Sequence, residues 1–164
     1  MKKTGFFLFT IIIGFLIFSC STAGMVWDDS TPPEQSAKVL FYYFKPTSYN
    51  GILFDAKDGK IGLGANYILT FPAGNVELSG DINYEGYVGY NTVLHFKYQN
   101  AAVSFNLEAG VDYWAWVTYE LTDDKKNRIW GVNLYKDEIK VKVVNLTEDK
   151  LVGFYPFDPI VASN

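Results

Sequence analysis

The chain has 164 residues, a net charge of -4, one histidine and one cysteine. An acidic chain without a stripe of Lys and Arg is a poor match to nucleic acid or to anionic lipid, and a lone cysteine excludes an internal disulfide framework. Once an export signal is removed, the length suits one domain with one hydrophobic core, for which aromatic residues (18% of the chain) supply ample material.

The first residues have the layout of a secretory signal. Lys2 and Lys3 precede an apolar run over residues 5–18, and small and polar residues follow at once. The run is shorter than the roughly 20 apolar residues that a membrane-spanning helix needs. It therefore predicts a cleaved signal peptide over residues 1–19 rather than a retained span.

Cys20 stands at the expected cleavage point. The order Ile17, Phe18, Ser19, Cys20 resembles the lipobox of bacterial lipoproteins, in which the cysteine becomes the acylated first residue, although a small residue is usual where Phe18 stands. Ordinary cleavage after Ala23, which would discard the cysteine, is the alternative. The resemblance implies lipidation at Cys20 and anchoring in the cell envelope through more than one acyl chain. A serine rather than an aspartate after the cysteine favours the outer membrane, if the cell has one.

Residues 20–37 predict a tether. Pro32, Pro33 and several polar residues disfavour a helix or a central strand there, and a semi-extended linker would lift the domain off the bilayer. The folded domain is then predicted over residues 38–164.

Short apolar runs separated by Gly, Pro, Asn and Asp follow along the domain, and no segment shows sustained helical periodicity. The predicted strands cover residues 39–44, 52–54, 60–63, 67–71, 76–82, 93–98, 103–107, 111–121, 129–135 and 139–143. We expect an all-β fold, an antiparallel β-sandwich, with a small β-barrel as the alternative. Two prolines in residues 151–164 predict an irregular tail or an edge segment.

Four stretches carry a family resemblance: residues 39–46 (VLFYYFKP), 59–62 (GKIG), 67–78 (YILTFPAGNVEL) and 107–113 (LEAGVDY). They resemble small bacterial lipoproteins with a β-sandwich domain of unknown function, and the turns are similar to those of PEGA and carboxypeptidase-regulatory-like β domains. Gly74 and Gly110 fall where such turns need a positive φ. The resemblance implies a fold and no activity.

Trp114 and Trp116 are the first candidate binding residues. They stand two apart in the longest predicted strand, so they share one face of the sheet, whereas Tyr113, Ala115 and Val117 share the other. If the two indoles face solvent, they form a stacking platform for sugar rings or for an apolar partner. If both faces of the strand are covered, they belong to the core.

Residues 83–91 interleave Tyr, Gly and Asn. Tyr84, Tyr87 and Tyr90 give this stretch the composition of an adaptable binding loop, in which tyrosine supplies rigid, amphipathic contact area. The alternative is a hairpin connection whose tyrosines fold back onto the sheet.

Groups with chemical reactivity are sparse. His95, the one histidine, lies between Leu94 and Phe96 in a predicted strand and cannot form a metal site alone. We find no nucleophile with a credible base, no metal site and no cofactor motif. We expect a non-enzymatic, lipid-anchored binding or adaptor domain for an envelope protein. A carbohydrate or small-ligand module is the alternative, and a hydrolase with paired carboxylates ranks third.

Overall fold

The computed structural model describes residues 25–26, 31–53, 66–87, 92–139 and 146–163. Within these residues the regular structure consists of strands and two short 3-10 turns, at Pro33–Gln35 and Glu148–Lys150, with no α-helix. The strands are β1 (Met25–Val26), β2 (Ser36–Tyr42), β3 (Phe44–Tyr49), β4 (Ile52–Leu53), β5 (Asn66–Pro72), β6 (Gly74–Tyr87), β7 (Val93–Leu107), β8 (Asp112–Leu121), β9 (Asn127–Lys136) and β10 (Leu151–Ser163). The predicted signal peptide, Cys20 and most of the predicted strands at residues 52–54, 60–63 and 139–143 lie outside the described residues.

The described strands form one mixed sheet in the order β1-β5-β2-β8-β9-β10-β7-β6-β3-β4. The prediction of an all-β fold is confirmed. The pairing is not wholly antiparallel, because β1 runs parallel to β5 and β2 runs parallel to β8. We call β1, β5, β2, β8, β9 and β10 the larger half of the sheet, and β7, β6, β3 and β4 the smaller half. A single registered pair, Asp158 with Ala102, joins the two halves.

The chain passes between the two halves four times, from β2 to β3, β4 to β5, β5 to β6 and β7 to β8. β2 passes directly into β3 at Tyr43, which has φ of +64°, and we call this end of the molecule the upper end. β5 passes into β6 at Gly74, where φ is +115°, as the turn chemistry predicted. The two halves thereby face each other across one core, in an arrangement between a sandwich and a half-barrel.

The main core lies between the two halves. The Phe41 ring meets the rings of Phe44 and Phe71 at centroid distances of 5.8 and 6.3 Å, and Phe44 meets Phe157 at 5.3 Å. Each of these pairs except Phe41–Phe71 joins strands from opposite halves. Aromatic packing between distant strands is thus what keeps the sheet closed.

β10 differs from its prediction as an irregular tail or edge segment. It lies between β9 and β7, inside the sheet. Pro156 is paired with Gly131, and the register with β9 then shifts before Val161. This bulge absorbs the second proline and turns Phe157 and Ile160 into the core, where they are 2% and 4% exposed. Burial of these two side chains in the core outweighs the local preference of the prolines for an edge or an irregular segment.

The segment predicted as a tether contributes residues to two strands of the sheet. Met25 and Val26 pair with Leu69 and Thr70 of β5. The predicted domain boundary at residue 38 falls inside β2, since Ala37 is only 1% exposed in the core. β2 begins at Ser36, before the first long apolar run, so a boundary drawn from that run comes too late.

Candidate functional site

Trp114 and Trp116 lie on the same face of β8, on the side of the sheet away from the main core, as their spacing predicted. The Tyr42 ring of the adjacent strand stacks on both indoles, at 4.6 Å from Trp116 and 5.7 Å from Trp114. Tyr113, Ala115 and Val117 point the other way and are fully buried in the main core. This is the alternation expected of a strand covered on one face by the core.

The two tryptophans differ in what covers them. Trp114 is 3% exposed and forms a small second core with Leu40 and Ile68, against which Ile139 and Leu146 also pack. Trp116 is only half-buried, and Tyr42 occupies one of its ring faces. The pair therefore does not form a flat, open platform of two indoles.

Trp116 belongs instead to a lateral row across four neighbouring strands. Tyr42 pairs with Trp116, Trp116 with Asn133, and Asn133 with Phe154. We call these four residues the outer row; all four are half-buried. Burial, and then the neighbouring Tyr43, raises the pKa of Tyr42.

The outer row continues upward without charge. The next outward positions are Thr118, Gly131 and Pro156, which pair with one another in the same order of strands. Gly131 is a glycine because a Cβ there would come within 2.5 Å of the Tyr155 carbonyl oxygen and 2.6 Å of the Phe154 ring. Two adjacent rows of the outer face thus carry no charged side chain in a protein with 20% charged residues.

Tyr84 lies in a different place, on the core-facing side of two projecting hairpins. β6 continues five residues past Ile82 to Tyr87, and β8 continues five residues past Trp116 to Leu121. With their partner strands β7 and β9, these extensions form two arms at the upper end. Tyr87 ends β6 without a described side chain, and Tyr90 lies outside the described residues, so Tyr84 is the candidate tyrosine whose contacts are seen.

Rings from both arms pack against one another. Phe96 stacks on Trp130 at 3.9 Å, and Tyr84 and Tyr119 meet the same indole at 5.1 and 5.3 Å. We call Tyr84, Phe96, Tyr119 and Trp130 the arm cluster; Trp130 is 1% exposed. Burial, and then Tyr119 and Tyr43, raises the pKa of Tyr84. The arm cluster therefore joins the two arms rigidly.

Above the arm cluster the core-facing positions include an exposed apolar residue. The next core-facing pairs are Gly86 with Leu94 on one arm and Leu121 with Arg128 on the other, and we call these four residues the mouth. Leu121 is 47% exposed. The Arg128 guanidinium lies 5.0 Å over the Tyr119 ring, a cation–π distance. The mouth thus combines apolar walls, an aromatic floor and one positive charge.

The tip of the second arm is locally ordered. The Thr122 hydroxyl donates to Asp124 at 2.6 Å, and the Lys126 backbone N–H donates to the same carboxylate at 3.1 Å. These hydrogen bonds hold the pKa of Asp124 below its usual range. The acidic pair at this tip, Asp123 and Asp124, is exposed in a turn.

Tyr43 connects the two aromatic regions. Its ring meets Trp116 at 6.0 Å on one side and Tyr84 at 5.3 Å on the other. A non-glycine residue at positive φ is strained, and here the strain places one ring between the outer row and the arm cluster.

The ionisable groups of the outer row, the arm cluster and the mouth are tyrosines and Arg128. His95 is exposed on the outward side of an arm, 3.9 Å from Glu85. Among the described residues there is no group of three or more His, Cys, Asp and Glu side chains that could hold a metal ion. No helix in the described part of the chain is long and apolar enough to span a bilayer.

Comparison with family models, with curated proteins and with solved structures gave no match. The resemblance to small bacterial lipoproteins therefore stays a prediction.

Several residues of these regions were not singled out by their sequence. They are Tyr42, Tyr43, Phe154 and Asn133 on the outer side, and Phe96, Tyr119, Leu121 and Arg128 on the arms. Alternation along β8 and β9 could have placed Tyr119 and Trp130 on one face, since the two strands form a hairpin. Nothing local in the sequence indicates that Phe96 meets Trp130.

Proposed function

We propose that this protein is a lipid-anchored, non-enzymatic binding protein of the bacterial cell envelope that holds an envelope protein between its two arms. The apolar run ending at Cys20 supports the anchor. The observation that carries the binding role is the mouth: exposed Leu121 and half-buried Leu94 above a rigid aromatic floor, with Arg128 beside them.

The mouth favours a partner segment of particular chemistry. Leu94, Leu121 and the ring floor suit an apolar side chain of the partner. A rigid floor also limits the ordering entropy that binding would lose. A segment that presents an apolar side chain is the one that we expect to bind.

The test is recovery of the partner from cells. The acylated protein is cross-linked in place, extracted in mild detergent and analysed by mass spectrometry, as wild type, as Leu121→Asp and as Val93→Asp. Val93 is a matched control because it is an exposed apolar residue (36%) on the outward side of an arm. We expect one reproducible envelope protein with wild type and Val93→Asp, and its loss with Leu121→Asp. Equal recovery with both variants would refute binding at the mouth.

A carbohydrate-binding role is the second candidate. It is favoured by the half-buried Trp116 indole and the carboxamide of Asn133 directly across the strand pair, since aromatic rings and amides together suit sugars. Binding to a glycan array that survives Leu121→Asp and disappears with Trp116→Ala would support this candidate over the first.

A further inference from the structure

The position of β1 limits how far the domain can stand from the predicted anchor. Met25 is already paired with Leu69 at the edge of the sheet, and it stands five positions after Cys20. Five residues span at most about 18 Å. Strand β8, with ten residues, is roughly 33 Å long. An acylated Cys20 therefore stays within about half a strand length of the β1–β5 edge.

The outer row lies within the same distance. β8 is three strands from β1, which is about 14 Å at the usual spacing of strands. Tyr113 is level with Val39 and Leu69, and Trp116 is three residues further along β8, about 10 Å. Measured along the sheet, Trp116 is thus about 17 Å from Met25. The anchor can reach the bilayer while the outer row rests on it.

The chemistry of this face suits a lipid surface. Tyr and Trp concentrate at the boundary between lipid and water, where an amphipathic ring meets both media. The outer row and the row above it carry no charge, so anionic lipid would neither attract nor repel them. The outward face of the smaller half is different: Glu77, Glu85, His95 and Lys97 are exposed there.

We propose that the outer row docks on the headgroup layer of the membrane that carries the anchor. The proposal rests on the acylation of Cys20 in the function proposed above. The acyl chains keep the domain at a high effective concentration near the membrane. A weak preference of the outer row for the interface is therefore enough to keep it in contact with the headgroups. The mouth lies on the core-facing side of the arms, and docking leaves it open to a partner.

The lone cysteine makes the test direct. In the acylated chain Cys20 is blocked, so Thr118→Cys, beside Trp116 on the outer face, and Ser104→Cys, on the outward face of β7, each carry one reactive thiol. Each variant is spin-labelled and placed in protein-free phosphatidylcholine vesicles. The ratio of collision rates with oxygen and with a nickel chelate reports contact with lipid and cancels local steric hindrance.

We expect this ratio to be several-fold higher at position 118 than at position 104, unchanged by high salt, and lowered at 118 by Phe154→Ser. Equal ratios in protein that floats with the vesicles would overturn docking and leave the anchor and the partner intact. Protein that fails to float would overturn the anchor itself, and docking with it.

Discussion

The arm cluster and the outer row are made of the same residue types and are bridged by one ring, yet they differ in what lies above them. In the arm cluster the rings of Tyr84 and Phe96 on one arm meet Trp130 of the other arm, and Trp130 is 1% exposed. In the outer row no described strand faces Trp116, which stays half-buried. An aromatic side chain stabilises the fold where another strand packs against it. Where no strand packs against it, its ring stays accessible to other molecules.

The largest expected effect is a difference in the free energy of unfolding between variants of Trp130 and variants of Trp116. Trp130→Ala removes a fully buried indole that joins the arms, and we expect it to lower the free energy of unfolding by about 3–5 kcal/mol. Trp116→Ala removes a half-buried ring and should lower it by about 1–2 kcal/mol. Urea unfolding followed by far-UV circular dichroism measures both. Equal losses would contradict the distinction between the two regions.

Trp130→Phe is the control for the ring stack. The indole nitrogen of Trp130 has no hydrogen-bond partner among the described residues. A phenyl ring therefore keeps most of the stacking on Phe96 and loses no hydrogen bond, and this variant should keep most of the stability that Trp130→Ala loses.

A smaller effect on stability is expected when Gly131 or Gly86, which lie against aromatic side chains, is replaced by alanine. Gly131→Ala places a Cβ 2.5 Å from a backbone carbonyl oxygen, so β9 and β10 must shift, at about 1–3 kcal/mol. At Gly86 the nearest atom is the Tyr84 hydroxyl, which a side-chain rotation can move. We expect Gly86→Ala to destabilise less, while near-UV circular dichroism reports a disturbed arm cluster. A more stable Gly131→Ala would contradict the close approach of Phe154 and Tyr155.

The smallest expected effect appears in alkaline solution. The pKa values of Tyr42 and Tyr84 are raised, chiefly by burial, from the usual value of 10.0. The unfolded chain therefore loses these protons first, and the free energy of unfolding falls as the pH rises above 10.0 towards the folded-state pKa values. Tyr84→Phe should make that fall shallower, measured by urea unfolding at a series of pH values. An unchanged slope would show that Tyr84 is not shielded in the folded protein.

Much of the strand pattern could be predicted because it is local. The two-residue spacing of Trp114 and Trp116 is enough to place them on one face, and turn chemistry is enough to give Gly74 and Gly110 positive φ. The exposure of a side chain, in contrast, depends on segments that are distant in the sequence. Trp114 is buried because Ile139 and Leu146 pack near it, whereas no described segment covers Trp116 to the same extent.

The missed features share a long-range cause. The position of β10 inside the sheet depends on a bulge that absorbs its prolines, and no local signal gives the partner strands. The arm cluster depends on Phe96 and Trp130 meeting across 34 positions of sequence. Such contacts are set by topology, which periodicity does not determine.

Photo-cross-linking in living cells tests the whole account most directly. A photoreactive amino acid replaces Leu121 in the mouth or Thr118 beside the outer row, in the full acylated chain. We predict that position 121 captures a protein and that position 118 captures lipid. Protein captured at 118 and lipid at 121 would reverse the roles of the two regions and contradict the account.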